Sequence, residues 1–166
     1  MFLTSLLCLS LVSAAPEVPK KAAAPAAAPA AVLDDWHKAA AEADEARYFG
    51  HFTADAVFLG TDATERWNRD AFRAWAKPYF SQGKAWSFRV VSRNLFFSKE
   101  GTVAWFDEVL DTPNMGPARG SGVLVKEGGR WKISQYNLSV PIPNALLTDF
   151  KDRIEAHLKA PSAPAK

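Results

Sequence analysis

The chain has 166 residues, 48% of them apolar, and its 20 Lys and Arg nearly balance its 18 Asp and Glu. This length suits one domain with a core of its own, and the balanced charge argues against a nucleic-acid partner held by phosphate neutralisation. One Cys excludes an internal disulfide and a Cys-rich zinc site, and the sequence has no glycine-rich phosphate loop or nucleophile elbow. The sequence therefore predicts neither a metal nor another cofactor.

Residues 1–15 are predicted to be a secretory signal peptide, cut after Ala14 or Ala15. Residues 2–12 are almost wholly apolar but too few to cross a membrane, which takes about twenty residues in a helix. The Ala- and Pro-rich residues 16–32 are expected to be an extended spacer, and residues 160–166 a disordered tail. We therefore expect an exported protein, periplasmic or secreted, with one domain over residues 33–159 and no transmembrane segment in the mature chain.

The first half of this domain has the apolar spacing of two helices with a strand between them. The first helix is predicted to begin near Leu33 and to end at Gly50, and the strand covers residues 56–59. The second helix is capped by Asn68 and ends at Pro78 and Gly83. Its buried stripe is predicted to comprise Phe72, Trp75, Ala76 and Tyr79.

From Ala85 onward the apolar period changes from 3.6 to 2, which predicts consecutive antiparallel strands joined by turns. Gly128 and Gly129 supply the positive φ that a two-residue hairpin requires. A last helix, capped by Asn144, is expected to pack on the domain through one apolar side. Helices followed by such strands predict an α+β domain with helices on one face of a curved sheet. The four strands are placed at residues 86–97, 102–110, 120–126 and 131–139, and the apolar side of the last helix at Leu147, Phe150, Ile154 and Leu158.

Four segments stand out in the domain: FTADAVFLGTD at 52–62, ERW at 65–67, AWFDE at 104–108 and GRWKISQYNLS at 129–139. They resemble the SnoaL-like group of the nuclear transport factor 2-like, or ketosteroid isomerase-like, superfamily. The resemblance covers about residues 33–142 and implies a cone-shaped, curved antiparallel sheet wrapped around helices. Because the superfamily contains isomerases, cyclases, dehydratases and binding modules, the resemblance does not decide the function.

The isomerase chemistry of that superfamily does not carry over to this sequence. The resemblance implies a general-base Asp after the first strand and two acidic donors for an oxyanion. The corresponding positions are Gly60, Trp36 and one near Ser121, and none of them matches. Ketosteroid-type isomerisation is therefore disfavoured unless Asp62, two residues beyond Gly60, replaces the base.

A pocket is predicted beside the last hairpin. If residues 127 and 130 face each other, Gly122 pairs with Gln135 and Gly120 with Asn137, so two glycines lie next to two amides. Space then opens where polar groups gather, which is the usual form of a small-ligand site. The competing interpretation is that the amides only satisfy buried backbone groups.

Trp36 and Trp67 are predicted to complete this pocket as aromatic walls, so the candidate ligand-binding residues are Trp36, Trp67, Gln135 and Asn137. The other interpretation of both tryptophans is ordinary core or interface packing.

Asp62 and Glu108 are the candidate catalytic groups, for metal-free proton transfer in a lyase or isomerase step. Asp62 fits an Asx turn equally well, and Glu108 fits a buried ion pair with Arg119. We assign Glu108 to the inner face of its strand and Asp107 to the outer face, although a one-residue slip would exchange them. His37 is expected to be solvated on the first helix.

These observations predict a domain that binds a small, largely apolar molecule between its helices and its sheet, with catalysis left open. The alternative is a non-catalytic interaction module with a vestigial pocket. Both faces of the strand over residues 102–110 are apolar, so its outer face is most simply covered by a second copy of the sheet in a homodimer.

Overall fold

The structure, a computed structural model, describes residues 27–83 and 85–160. These ranges contain four α-helices, six strands and one short 3-10 turn. In chain order they are α1 (Ala27–Ala41), α2 (Glu45–Gly50), β1 (Phe52–Leu59), β2 (Arg66–Asn68), α3 (Arg69–Ser81), β3 (Arg89–Phe97), β4 (Val103–Thr112), β5 (Gly116–Glu127), β6 (Arg130–Ser139), the 3-10 turn Asn144–Leu146 and α4 (Leu147–Lys159).

The strands form one curved sheet in the order β2-β1-β6-β5-β4-β3, and α1 to α3 pack on its inner face. All neighbouring strands are antiparallel except β1 and β6, which are parallel. The predicted α+β class and curved sheet are confirmed. The hairpin between β5 and β6 is confirmed as well, because Gly128 and Gly129 have φ of 54° and 80°.

The N-terminal helical region differs from the prediction at both ends. Helix α1 begins at Ala27, so residues 27–32 are helical and not an extended spacer. Pro29 lies in the first turn, where its missing N–H leaves no hydrogen bond unmade. The predicted signal peptide and the rest of the spacer lie outside the described residues.

The predicted single helix ending at Gly50 is two helices. Ala43 has φ of 54°, a left-handed conformation that ends α1. Asp44 then caps α2, because its side chain accepts a hydrogen bond from the backbone N–H of Arg47 at 3.0 Å.

Helix α3 is capped as predicted, since the Asn68 side chain accepts from the Ala71 N–H at 2.8 Å. It runs through Pro78 to Ser81, so the prediction that Pro78 ends it is wrong, whereas Gly83, with φ of 67°, follows the C-cap Gln82 and ends it as predicted. Its buried side also differs in part from the predicted one, because Phe80 is buried and two of the predicted residues are not. Phe72, Ala76 and Phe80 are buried at i, i+4 and i+8, whereas Trp75 and Tyr79 are exposed.

Strand β6 contains one extra residue, Ser134, and this bulge decides which of its side chains face the helices. The predicted pairing of Leu124 with Ile133 is confirmed. Beyond it the register shifts, so Gly122 pairs with Tyr136 and not with Gln135. Since side chains alternate between the two faces, the bulge reverses the assignment of every residue after Ser134.

As a result Tyr136 and Leu138 are buried on the inner face, whereas Gln135 and Asn137 lie on the outer face opposite Val123 and Ser121. The prediction that Gln135 and Asn137 line a pocket is therefore wrong.

Strand β4 alternates as predicted, with Glu108 fully buried on the inner face and Asp107 on the outer face.

The outer face of the sheet carries exposed aromatic side chains. Phe96 and Trp105 are opposite each other on β3 and β4, with ring centroids 5.9 Å apart and planes at 14°. Each is nearly half exposed.

The terminal helix α4 contradicts the prediction that it packs on the domain. Every residue from Leu147 to Lys159 is exposed, including the apolar stripe, in which Leu158 is 76% exposed. The prediction relied on an amphipathic pattern, which shows only that one side is apolar and not what covers it. No helix in the described ranges is both long and apolar enough to cross a membrane.

Candidate functional site

A cavity of about 190 Å³ lies between the helices and the inner face of the sheet. Its fully buried wall comprises Trp36 of α1, Tyr48 of α2, Phe72 of α3 and Tyr136 of β6. Toward solvent the lining is exposed or half-buried. This outer part consists of Thr61, Glu65, Trp67, Trp75, Trp86, Phe88 and Met115, and Phe58, Gly60 and Leu138 complete the lining.

The aromatic rings of the wall also pack on one another. Phe58 and Phe72 are stacked with centroids 3.9 Å apart, and Trp67 stacks on Phe72 at 5.6 Å. Phe58 also stacks on Tyr136 at 5.6 Å, which joins α3 to β6 through β1. These contacts hold one side of the cavity in place and leave flat apolar surfaces facing it.

Two donors in the buried wall have no acceptor among the described residues. Trp36 and Tyr48 are 1% and 0% exposed, and their rings stack with centroids 5.0 Å apart and planes at 24°. Neither the indole Nε1 of Trp36 nor the hydroxyl of Tyr48 donates a hydrogen bond to an acceptor in the part of the chain that the structure describes. Burial raises the pKa of Tyr48 well above 10, and a hydrogen bond from Trp86 acts in the opposite direction. Both groups therefore remain neutral donors at ordinary pH.

A buried polar cluster lies directly behind Tyr136. The Tyr136 hydroxyl donates to Glu108 Oε1 at 3.2 Å, and His37 Nε2 lies 2.7 Å from the same oxygen. Arg93 Nε donates to Glu108 Oε2 at 2.8 Å, and its other arm reaches Asp34 Oδ1 at 2.7 Å. Glu108 thus has three partners on α1, β3 and β6.

The charges in this cluster follow from those contacts. Burial by itself would raise the pKa of Glu108, but the hydrogen bond and charge of His37 and the ion pair with Arg93 together lower it from 4.5. Glu108 is therefore ionised near neutral pH. Burial, with the adjacent Glu108 charge, raises the pKa of Tyr136 well above 10. Tyr136 is consequently a neutral hydroxyl between the cavity and a carboxylate.

Two predictions about this cluster are wrong. Glu108 pairs with Arg93 and not with Arg119, because Arg119 lies on the outer face opposite Val109. His37 is only 6% exposed and contacts Glu108, so it is not a solvated surface residue. Arg93 comes from the preceding strand β3, whereas His37 lies 71 residues before Glu108 in the sequence.

Neither candidate catalytic carboxylate lines the cavity. Asp62 is exposed in the loop after β1 and forms an Asx turn, in which its Oδ1 accepts from the Thr64 N–H at 2.8 Å. Hydrogen bonds from Thr64 lower the pKa of Asp62. Glu108 reaches the cavity only through Tyr136.

Among the described residues, no group of three or more His, Cys, Asp or Glu could hold a metal ion.

Of the four predicted ligand-binding residues, Trp36 and Trp67 line the cavity and Gln135 and Asn137 do not. Sequence reasoning missed Tyr48, Phe58, Phe72 and Tyr136 as lining residues. For Tyr136 a signal was present. The apolar residues of β6 break their alternation between Ile133 and Tyr136, which is typical of a bulge.

Gly120 makes room for Tyr136 and not for a ligand. A Cβ at this position would overlap the Tyr136 hydroxyl and lie 2.9 Å from Glu108 Oε1. We therefore expect Gly120→Ala to lower the free energy of unfolding by about 1–3 kcal/mol through overpacking. The measurement is urea denaturation beside Gly50→Ala, whose new Cβ meets nothing within 4 Å. Equal stability of the two variants would contradict the tight contact.

Comparison with known proteins identifies the family. Residues 30–143 match the model of the SnoaL-like domain. The chain belongs to the SnoaL-like family. No curated protein matches the sequence.

Solved structures share the fold of this SnoaL-like domain at low sequence identity. An NTF2-like protein of unknown function from Pseudomonas putida KT2440 has a TM-score of 0.61 at 15% identity, over 73% of this chain and 91% of that one. A candidate scytalone dehydratase from Novosphingobium aromaticivorans has a TM-score of 0.59 at 14% identity, over 69% of this chain and 83% of that one. These similarities establish the nuclear transport factor 2-like fold, while the function depends on the site.

Proposed function

We propose that this SnoaL-like domain binds a small, largely apolar molecule in the cavity between its helices and its sheet. The supporting observation is the aromatic cavity of about 190 Å³, whose inner wall is fully buried. Concave apolar sites with few polar groups are the usual form of small-ligand sites. The volume is below the roughly 300–1,000 Å³ of sites for drug-sized ligands but above the about 150 Å³ of a cavity that admits benzene. A molecule of one or two rings therefore fits best.

The proposal covers binding and no chemical step. The two candidate catalytic groups, Asp62 and Glu108, lie outside the cavity lining, and Glu65, a carboxylate that does line it, lies in its half-buried outer part.

A cavity-filling variant tests this proposal. Leu138 lines the cavity, so Leu138→Trp places an indole where the ligand would lie, whereas Leu158→Trp makes the same change at an exposed position on α4. We expect one- and two-ring hydrocarbons to raise the melting temperature of the wild type and of Leu158→Trp in a saturable manner. Ligand at 100 times its Kd adds about 2.7 kcal/mol of stability.

The same shift should be absent in Leu138→Trp. No shift in the wild type, or an equal shift in Leu138→Trp, would contradict binding at this cavity.

A second candidate function is self-association through the outer face of the sheet. The observation that favours it is the exposed Phe96–Trp105 stack. Val91 and Val109, 55% and 38% exposed, lie further along the same two strands, beyond the Asn94–Asp107 pair. An exposed pair of large aromatic side chains on a sheet face favours an interaction site there. A second copy supplies a complementary sheet face, and this would make the domain a homodimer.

Trp105→Glu tests the dimer. We expect the wild type to sediment as a dimer and Trp105→Glu as a monomer, because burying a carboxylate in an apolar interface is unfavourable. Leu158→Glu, a similar change on exposed α4, should leave the dimer intact. A monomeric wild type in sedimentation velocity would contradict this second function.

We also propose that the protein is exported by its N-terminal segment. The apolar run of residues 2–12 followed by Val12-Ser13-Ala14 supports cleavage after Ala14 or Ala15. Expression of the full chain in a bacterial host should yield a periplasmic or secreted protein whose intact mass begins at Ala15 or Pro16. An uncleaved chain in the cytoplasm would contradict export.

A further inference from the structure

A second pocket, of about 510 Å³, lies beside the start of β1 and is lined by parts of α1, α2 and β6. Among the described residues, none lines both this pocket and the aromatic cavity. Its volume lies within the roughly 300–1,000 Å³ that is usual for small-ligand sites. We propose that this basic pocket, named for its Arg47, Arg130 and Lys132, binds a small organic anion that carries an apolar ring.

Positive charge is concentrated in the basic pocket. Arg47, Arg130 and Lys132 line it, and Asp35 is the carboxylate among its described lining residues. Three of the 20 basic residues and one of the 18 acidic residues lie outside residues 33–159, so the domain as a whole has no net charge. The excess of cations is therefore local, and it favours an anion at this place.

The Asp35 carboxylate is already used within the protein. It accepts from two nitrogens of Arg47, and its Oδ2 lies 2.8 Å from His51 Nε2. Arg47 Nη1 also donates to Glu42 at 2.7 Å, so the charge of Arg47 is matched by two carboxylates. The counter-charge for the other two cations of the pocket must therefore come from elsewhere.

Those two cations, Arg130 and Lys132, form no ion pair in the part of the chain that the structure describes. Glu127 lies opposite Arg130 on β5 without forming an ion pair with it. Lys132 Nζ donates to the backbone carbonyl of Gly50, which leaves two of its three N–H groups for a ligand.

The charge of Lys132 acts inside the pocket, since Gly50 and His51 are both lining residues. Burial lowers the pKa of His51 below 6.5, and the charges of Lys132 and Arg47 lower it further, against the effect of Asp35. His51 is therefore neutral near pH 7 and does not supply the positive charge of the site. That charge comes from the guanidinium and ammonium groups.

The basic pocket also has apolar lining. Trp131 is half-buried, and the ring of Phe97 lies edge-on to it, with centroids 6.0 Å apart and planes at 74°. Ala28 and Val32 of α1 line the same pocket. An aromatic surface beside unmatched cations suits an anionic group attached to a flat ring.

The chain that leads into α1 does not provide this anion. It joins the helix at Ala27, next to the lining residue Ala28. Residues 16–26 contain two Lys and one Glu, so this segment brings further positive charge. The occupant is therefore a separate molecule.

A matched pair of probes tests this proposal. 2-Naphthoate and 2-naphthamide have nearly the same shape and differ in charge, and calorimetry with the full chain measures their Kd values. We expect Arg130→Gln and Lys132→Gln each to weaken naphthoate binding about 3- to 5-fold, because each removes one partly exposed cation. The Kd of naphthamide should not change. Arg119→Gln and Lys77→Gln, the same changes at exposed positions outside the lining, should leave the naphthoate Kd unchanged.

A further variant separates this site from the aromatic cavity. Leu138→Trp fills the cavity and should bind naphthoate with the wild-type Kd, because Leu138 does not line the basic pocket. Naphthoate binding that is lost in Leu138→Trp and kept in Arg130→Gln would place the anion in the cavity and overturn the proposal.

Absence of naphthoate binding, or equal naphthoate Kd values in the wild type, Arg130→Gln and Lys132→Gln, would overturn it as well. Neither result bears on hydrocarbon binding in the cavity, which the melting-temperature shift of the wild type tests independently.

Discussion

Glu108→Gln should lower the free energy of unfolding by about 3–5 kcal/mol. Glu108 is fully buried and is the carboxylate partner of Arg93, whose side chain is only 9% exposed, and of His37. The amide removes the negative charge but leaves the buried guanidinium, whose remaining carboxylate partner, Asp34, is exposed. A buried charge that loses its buried partner is strongly destabilising. Urea denaturation at pH 7 measures the loss.

The neighbouring acid is a matched control. Asp107 lies on the outer face of the same strand, where its carboxylate accepts from Asn94 Nδ2 at 3.0 Å in an exposed contact. Asp107→Asn should therefore change the stability by no more than about 0.5 kcal/mol. Equal losses in the two variants would contradict the assignment of Glu108 to the inner face.

The same contacts predict a pH dependence. The pKa of Glu108 is lowered in the folded state, so its ionised form stabilises the protein fully above its ordinary value of 4.5. That contribution is lost as the pH falls through the lower pKa of the folded state. Denaturation at pH 7, 4 and 3 should show the wild type losing more stability than Glu108→Gln.

The hydrogen bond from Arg47 lowers the pKa of Asp35 to about 2. Asp35 therefore also contributes stability that is lost at low pH, and this loss should be the same in the wild type and in Glu108→Gln. Parallel pH profiles of the wild type and Glu108→Gln would contradict the role of Glu108.

Phe72→Ala should also lower the free energy of unfolding by about 3–5 kcal/mol, because it removes a ring from the centre of the aromatic wall. Phe72 is 1% exposed and stacks on Phe58 at 3.9 Å, and it joins α3 to β1. Phe150→Ala is the control, since Phe150 is 41% exposed on α4. Its effect should stay within about 0.5 kcal/mol.

The lost ring also enlarges the cavity. Phe72→Ala should therefore regain melting temperature on addition of a ligand larger than the wild type accepts, such as a three-ring hydrocarbon. A small stability loss, or a loss without any gain in the accepted ligand size, would show that Phe72 does not form the cavity wall.

Local patterns predicted most of the secondary structure. The Asn68 cap and the Gly128-Gly129 hairpin depend on contacts within a few residues, and these are visible in the sequence. The alternation of β4 similarly placed Glu108 inside and Asp107 outside. The boundaries were less well predicted. Pro29 is compatible with the first turn of a helix, and nothing in the sequence marks Ala43 as the left-handed residue that ends α1.

The site was predicted only in part, and each error has a tertiary cause. Trp36 and Trp67 line the cavity, but Gln135 and Asn137 lie on the outer face because Ser134 bulges. A one-residue insertion in a strand reverses all later side chains, so a register counted from the hairpin fails beyond it.

By itself, the sequence determined the α+β order of elements, the hairpin, the cap of α3 and the family resemblance, because propensity, turn chemistry and periodicity act over short spans of chain. Only the tertiary structure decided the partners of Glu108, the burial of His37, the exposure of α4 and the two unpartnered donors of Trp36 and Tyr48. Those features depend on side chains brought together from elements far apart in the chain, where burial removes water and makes each unmatched charge or donor costly.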